Sequence, residues 1–423
     1  MSRRVAVVAH THWDREWYSP FEVYRSHLVD LIDELLDVLE DDADFTQFLL
    51  DGQAAVVDDY LAVRPEAEDR LRRAVTSGRI EIGPWYCLPD EFCVSAETLV
   101  RNLQLGAEVA ERAGGSSRVG YLPDMFGHAA QMPQILAQSG LDVAVVWRGV
   151  PAAVGRTAFV WEAPDGTAVR AEYLPVGYSN GAFLPKDPDD LVRRVKAHVD
   201  ELGDLLPRHW PLLLMNGGDH RAVQRDLPTL LAAANSAQSD LVFEQTGLAR
   251  YLAARPQDGL TSWSGEMRSG ARSNVLMGVL SSRVDIKVAA ARAERELERM
   301  AEPLASLWLT PGQWPESLLA QAWLEVIRNS AHDSVCGCSV DEVGRAVIHR
   351  YDSARAVAGE IGRRASLEHL HQTTGAVIAG RQDLDHPAPG EWQRVDGHRP
   401  PDREGDRGHL GGPAAYLTGD GAS

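Results

Sequence analysis

VAVVAHTHWDREWY, residues 5 to 18, decides how the rest of the chain is read. Val5 to Ala9 is a short apolar, β-branched run and predicts a buried parallel strand close to the N-terminus. Side chains alternate along an extended segment, so His10, His12 and Asp14 share a parity and can project together from the strand's C-terminal end. That end is where α/β sheets build their sites. Two imidazoles and a carboxylate at this spacing suit zinc, and Trp17 is near enough to offer an apolar face to a substrate ring. The alternative, for these residues alone, is a histidine-rich turn that merely caps the strand.

The segments that follow repeat the scheme. Apolar residues at helical spacing predict a helix over Val23 to Glu40, and Phe45 to Leu50 a second strand leading to Asp51-Gly52-Gln53. A helix over Ala54 to Ser77 is interrupted near Pro65 and stopped by Gly78. Arg79 to Tyr86 reads as a third strand and Ala96 to Ala113 as a helix. The strand around Arg118 to Leu122 ends in Asp124, and Gly127 permits a tight turn beyond it. Leu141 to Gly149 delivers Trp147 and Arg148 to the same rim, and Ala168 to Pro175 repeats the pattern. Pro211 to His220 supplies apolar residues, a Gly-rich turn, then Asp219 and His220, and Leu241 to Thr246 reads as a last strand.

Alternating strands and helices mean a parallel sheet with its site at the C-terminal edge. The expected fold class is therefore α/β: a seven-stranded parallel (β/α) barrel-like catalytic domain over residues 1–270. A helical bundle over 271–375 follows, from the amphipathic segments Val284 to Leu307, Pro315 to Asn329 and Val340 to Leu370. His332 and Asp333 fall at a helix break between the last two. Residues 376–423, rich in Gly and Pro, read as a disordered tail.

A formal charge of −19 over 423 residues argues against a nucleic-acid partner, which needs a basic face. No stretch approaches the ~18 apolar residues of a membrane span, and the first apolar run is too short for a signal peptide. A cytoplasmic protein is expected. Cys87, Cys93, Cys336 and Cys338 are too few for a disulfide framework, and Cys336-Gly337-Cys338 lacks the spacer of a zinc knuckle, so reduced structural roles are expected.

Taken together and in order, HTHWDREW, YLPDMFGH, NGGDH and NSAHDSVCG strongly resemble the glycoside hydrolase family 38 α-mannosidases, from about residue 3 to residue 370. HWDREWY, IGPWY and GYLPDMFG resemble the bacterial branch, which includes mannosylglycerate hydrolases. The resemblance implies one Zn²⁺ held by His12, Asp14, Asp124 and His332, with His10 shaping the site. Asp124 would also be the nucleophile, giving a covalent mannosyl-enzyme that water resolves with retention, and Asp219 the acid/base about 5 Å away. The tripeptide Asp219-His220-Arg221 departs from the eukaryotic pattern. Zinc would chelate the adjacent mannose hydroxyls O2 and O3, Trp17 would stack on the sugar, and Arg148 and Asp333 would bond its hydroxyls or the nucleophile.

The implied substrate is an α-mannoside, either mannosylglycerate or a small manno-oligosaccharide. Arg148, Lys186, Arg193 and Arg194 are candidate cations for an acidic aglycone. Trp263, Glu266, Arg268 and Arg283 look family-like and would shape the aglycone side, with Asp90 and Tyr86 on the rim. Asp58, Asp59 and the run Glu294 to Glu298 read as solvated faces. Two other readings compete. A zinc-dependent carbohydrate deacetylase needs a metal-bound water and one aspartate base, and the pair Asp124 and Asp219 argues against it. The second is a chain that binds metal or sugar with little turnover, because family members continue into β-sandwich domains where this sequence carries its Gly/Pro-rich tail. Such missing domains would leave a homo-oligomer open.

Overall fold

Val5, Val7, Val8 and Ala9 are buried on both faces, as a strand at the centre of a parallel sheet must be. In the computed structural model, which describes residues 2–255 and 259–374, the strands in chain order are β1 (Arg3–Thr11), β2 (Phe48–Leu50), β3 (Ile80–Glu81), β4 (Val119–Leu122), β5 (Val143–Val146), β6 (Ala158–Glu162), β7 (Ala168–Tyr173), β8 (Leu212–Asn216), β9 (Leu241–Gln245) and β10 (Ser262–Ser264). The expected tail at 376–423 lies outside the described residues.

Among these residues the strands do not close into one seven-stranded ring. They lie in two five-stranded sheets. The first is wholly parallel, ordered β3-β2-β1-β8, with β9 also paired to β1. The second, β10-β6-β7-β5-β4, contains the antiparallel pair β6 and β7. Its cause is local: Ala163 to Thr167 make a tight turn, with Ala163 N–H donating to the Thr167 carbonyl, so the chain returns at once instead of crossing over through a helix. Side chains from both sheets, among them Val8, Leu49, Tyr121, Val145 and Met215, share one buried cluster.

The helix Phe21–Asp41 buries Leu28, Ile32, Leu35, Leu36 and Leu39 at helical spacing. The helix Ala96–Ala113 is capped by Ser95, whose hydroxyl accepts from Thr98 N–H. It passes so close to the loop after β3 that a Cβ on Gly106 would sit 2.1 Å from the Trp85 carbonyl carbon.

The helical region runs through Val284–Glu296, a π-helical turn Leu297–Ala301, then Glu302–Trp308, Glu316–Asn329, His332–Cys336 and Asp341–Thr374. Two acidic side chains read as solvated are inside. Glu294 is buried and accepts from Ser95 N–H and Thr98 Oγ1, both at 2.8 Å. Asp59 is buried in a two-pronged pair with Arg15, at 2.7 and 2.9 Å. Helical periodicity marked these positions as polar without showing what packs on them.

Candidate active site

β1 runs on past its last ladder residue into the site. His12 N–H donates to the Gly218 carbonyl and His220 N–H to the His12 carbonyl, which sets His12 beside Asp219 at the C-terminal ends of β1 and β8. The sequence places polar residues after apolar strands, and the parallel register brings those ends to one edge.

His12 is held from behind by Asp51. Its Nδ1 lies 3.1 Å from Asp51 Oδ1, while Asp51 Oδ2 accepts from Trp13 N–H at 2.8 Å and Gln53 Nε2 at 2.9 Å. Asp51 itself adopts φ 55°, in the left-handed region, at the turn closing β2. Because Nδ1 is engaged, Nε2 is free to face forward, and it is buried with no hydrogen-bond partner. It lies 3.2 Å from Asp14 Oδ1 and 4.0 Å from Asp124 Oδ2. Across the site, His332 Nε2 lies 3.5 Å from Asp14 Oδ1, 3.6 Å from Asp124 Oδ2 and 3.8 Å from Asp333 Oδ2.

One atom each from His12, Asp124 and His332 falls within 4.8 Å of the others, as does a second set from Asp14, His332 and Asp333. Two histidines and two aspartates, all buried but the partly exposed Asp124 and offering one unpartnered imidazole nitrogen, fit a borderline cation such as zinc. His10, which shares their parity, does not join them. Its ring bonds instead to the Tyr178 and Thr11 carbonyls, at 2.8 and 3.0 Å.

Without a cation the groups neutralise one another. Burial disfavours charge on His332, but Asp333, Asp124 and Asp14 outweigh it and lift its pKa to about 10. Burial likewise opposes charge on His12, and Asp51 and Asp14 hold it well above the usual imidazole value. For Asp124, burial is overcome by His332, Arg148 and His12, which keep the carboxyl below its usual range. Asp333 goes the other way, pushed well up by burial despite His332.

Asp124 and Asp333 also face a cleft of about 600 Å³, lined in part by Trp17, Arg148, Tyr178 and Asp219 as well. Asp124 does not cap a helix: the next one starts at Met132, with Gln131 as its N-cap. Arg148 Nε donates to Asp124 Oδ1 at 2.6 Å, and its guanidinium lies 3.9 Å over the Trp147 ring. Tyr178 OH donates to Asp219 Oδ1 at 2.9 Å. Burial, then Asp124 and Asp219, hold that phenol protonated.

Other expected residues are elsewhere. Asp90 and Tyr86 are buried rather than on the rim, because the loop carrying them folds under the segment at Ser330, to whose carbonyl Asp90 N–H donates. Lys186 and Arg193 are exposed beside Asp226 and Asp190, and Arg194 is spent on the carbonyls of Phe183, Asn180 and Ala182. None of the three lines the cleft; only Arg148 of the four cations does. Glu266, Arg268, Arg283 and Trp263 do not line it either. Asp51 and Tyr178 were missed. Both sit just beyond strand ends, which is the one signal that could have found them.

Comparison with known proteins gives a consistent picture. Residues 2–266 match the model of the glycosyl hydrolases family 38 N-terminal domain, and residues 274–369 that of the alpha mannosidase middle domain. A "Putative mannosylglycerate hydrolase" of Halalkalibacterium halodurans is 34% identical over 403 residues, 89% of this chain and 44% of that protein. An alpha-mannosidase from Enterococcus faecalis V583 superposes with a TM-score of 0.82 at 34% identity, over 88% of this chain and 43% of its own. A second family 38 structure from Enterococcus faecalis gives a TM-score of 0.72 at 30% identity, over 88% and 41%. The chain thus spans less than half the length of these relatives.

Proposed function

The chain belongs to glycoside hydrolase family 38, and from that premise we propose that it is a zinc-dependent retaining α-mannosidase acting through a covalent mannosyl-enzyme intermediate. One observation carries the reading: two aspartates, Asp124 and Asp219, line a single cleft, and Asp124 there belongs to the metal-capable group it forms with His12 and His332.

His12, Asp14, Asp124 and His332 would hold the zinc, whose chemistry when bound is Lewis-acid chelation of two adjacent mannose hydroxyls. Asp124 is the nucleophile. His332 and Arg148 keep it ionised, and Arg148 fixes the carboxylate plane by engaging Oδ1. Attack on the anomeric carbon forms a glycosyl ester on Asp124 as the glycosidic bond breaks, and Asp219 gives its proton to the departing oxygen. Tyr178 already donates to Asp219 Oδ1, so Oδ2 is the oxygen left to carry that proton. Asp219, now ionised, takes a proton from water as water displaces Asp124 with a second inversion.

Trp17 would stack on the sugar and Asp333 would bond its hydroxyls. For the substrate we favour a small α-mannoside such as mannosylglycerate, following the named relative, with Arg148 the cation nearest an acidic aglycone. A reducing, cytoplasmic setting fits the four unpaired cysteines.

The test is hydrolysis of an aryl α-mannoside by protein stripped of metal and re-supplied with zinc, alongside Asp124→Ala. The expected result is zinc-dependent release that vanishes in the variant. Stoichiometric zinc binding with no release would reduce the chain to a metal- or sugar-binding protein, and release of acetate from an acetylated sugar would point to a deacetylase.

A further inference from the structure

A second group of metal-capable side chains lies behind the cleft wall and plays no part in the proposed mechanism. Asp90, Cys93 and Cys336 each present one ligand atom within 4.8 Å of the others. The two sulfurs are 3.9 Å apart, close to the ~3.8 Å that two thiolates span on a tetrahedral ion with metal–sulfur bonds of about 2.3 Å. Asp90 is 1% exposed. Its Oδ1 accepts from Phe92 and Cys93 N–H at 2.8 and 2.7 Å, whereas its Oδ2 is buried with no hydrogen-bond partner. An orphaned carboxylate oxygen beside two thiols is costly unless a cation satisfies it.

The scaffold holds the three in place. Pro89 pairs with Ala331 in an antiparallel bridge, and Asp90 N–H donates to the Ser330 carbonyl. The loop carrying Asp90 and Cys93 is thereby tied to the short helix His332–Cys336. Cys336, itself buried, also borders the cleft, which lies on the side from which an ion would enter.

We propose that Asp90, Cys93 and Cys336 form a second site, for a thiophilic divalent cation of the zinc and cadmium class, separate from the histidine and aspartate cluster. On binding, each thiol releases its proton to solvent as its sulfur–metal bond forms, and Asp90 contributes Oδ2. Cys336 ends the five-residue helix that begins with His332, so an ion here makes the position of that helix depend on metal supply.

Cadmium is the probe, because the histidine and aspartate cluster has no thiolate and is silent in the ultraviolet thiolate-to-metal charge-transfer band. Reduced protein supplied with one equivalent of zinc and titrated with cadmium should bind one equivalent of cadmium with that band, whether it fills the site or displaces zinc from it. The band should be lost in Cys93→Ser and in Cys336→Ser, and Asp90→Asn should weaken binding at least tenfold. A readout on the unaltered chain guards against variants that do not fold: cadmium should slow alkylation of Cys93, the half-buried thiol of the pair, at least tenfold. No band in the unaltered protein, a band that survives Cys93→Ser, or alkylation indifferent to cadmium would each overturn the proposal. None of these readouts depends on mannoside turnover, so failure here and failure of the mannosidase reading are separable.

Discussion

Asp51→Asn tests whether the back of the metal cluster matters as much as its front. Asp51 is fully buried and accepts three hydrogen bonds, from His12 Nδ1, Trp13 N–H and Gln53 Nε2. Asparagine has the same shape but one accepting oxygen, so its amide must face at least one of these donors. A buried donor left unmet costs about 1–3 kcal/mol, which sets the loss in metal-free stability. The ring of His12 also loses the carboxylate that fixes its orientation and keeps Nε2 forward. Loss of such a partner typically weakens metal binding 10- to 100-fold, or about 1.4–2.8 kcal/mol. Zinc affinity by chelator competition and the melting temperature of chelated protein read the two effects separately. Wild-type zinc affinity in a folded Asp51→Asn protein refutes the argument, and a lowered melting temperature alone would make Asp51 a structural residue only.

Arg148→Ala should reduce kcat/KM about 100-fold, roughly 2.7 kcal/mol, since the 2.6 Å pair with Asp124 and the bond to the Asn274 carbonyl go together. Arg148→Lys should recover only part, because one ammonium does not reproduce the fork that reaches Asp124 Oδ1 and the Asn274 carbonyl together; equal activity in both variants contradicts this. In metal-free protein, His332 has a folded pKa of about 10, above the usual ~6.5 of an unfolded imidazole. Its contribution is therefore fully present below about pH 6.5 and lost as pH rises through about 10, and melting of chelated protein should show a decline across that window. Zinc affinity should run the other way, rising with pH as the ion displaces the imidazole proton. Gly106→Ala should destabilise by about 2–5 kcal/mol in denaturant melts, reversing the usual gain of about 0.5–1 kcal/mol in a helix, because the new Cβ meets the backbone of Pro84, Trp85 and Tyr86 at 2.1–2.3 Å.

The strands were legible where burial makes them continuous apolar runs, as at Val5 to Ala9 and Leu212 to Met215. β6 was not read, because Ala158–Glu162 is short and returns to β7 through a five-residue turn with no helix between them, so the antiparallel pair went unseen. The residues brought together at the site, His12, Asp14, Asp124 and His332, were all named from motifs. Asp51 was passed over because its role depends on pairing: His10 opposite Leu49 and Thr11 opposite Leu50 carry residue 51 to His12, and no single-chain pattern records that register. Tyr178 is similar, as its partner Asp219 follows another strand. Asp90 was placed on the rim because it follows a strand, whereas a packed helix end covers it.

Glu16, four residues past His12, bonds Arg350 across 334 positions of sequence and Ser334 across 318. Segments this distant meet late when a polypeptide leaves the ribosome from its N-terminus. The sheet can begin to assemble while Asp14 and Glu16 still wait, solvated, for His332, Ser334 and Arg350, which have yet to be synthesised. Closing so long a loop adds little entropy beyond a loop half its length, about 0.6 kcal/mol, so the delay is one of timing and not of affinity. A nascent chain stalled before residue 332 can own a nearly complete sheet and still lack the histidine that completes its metal-capable cluster.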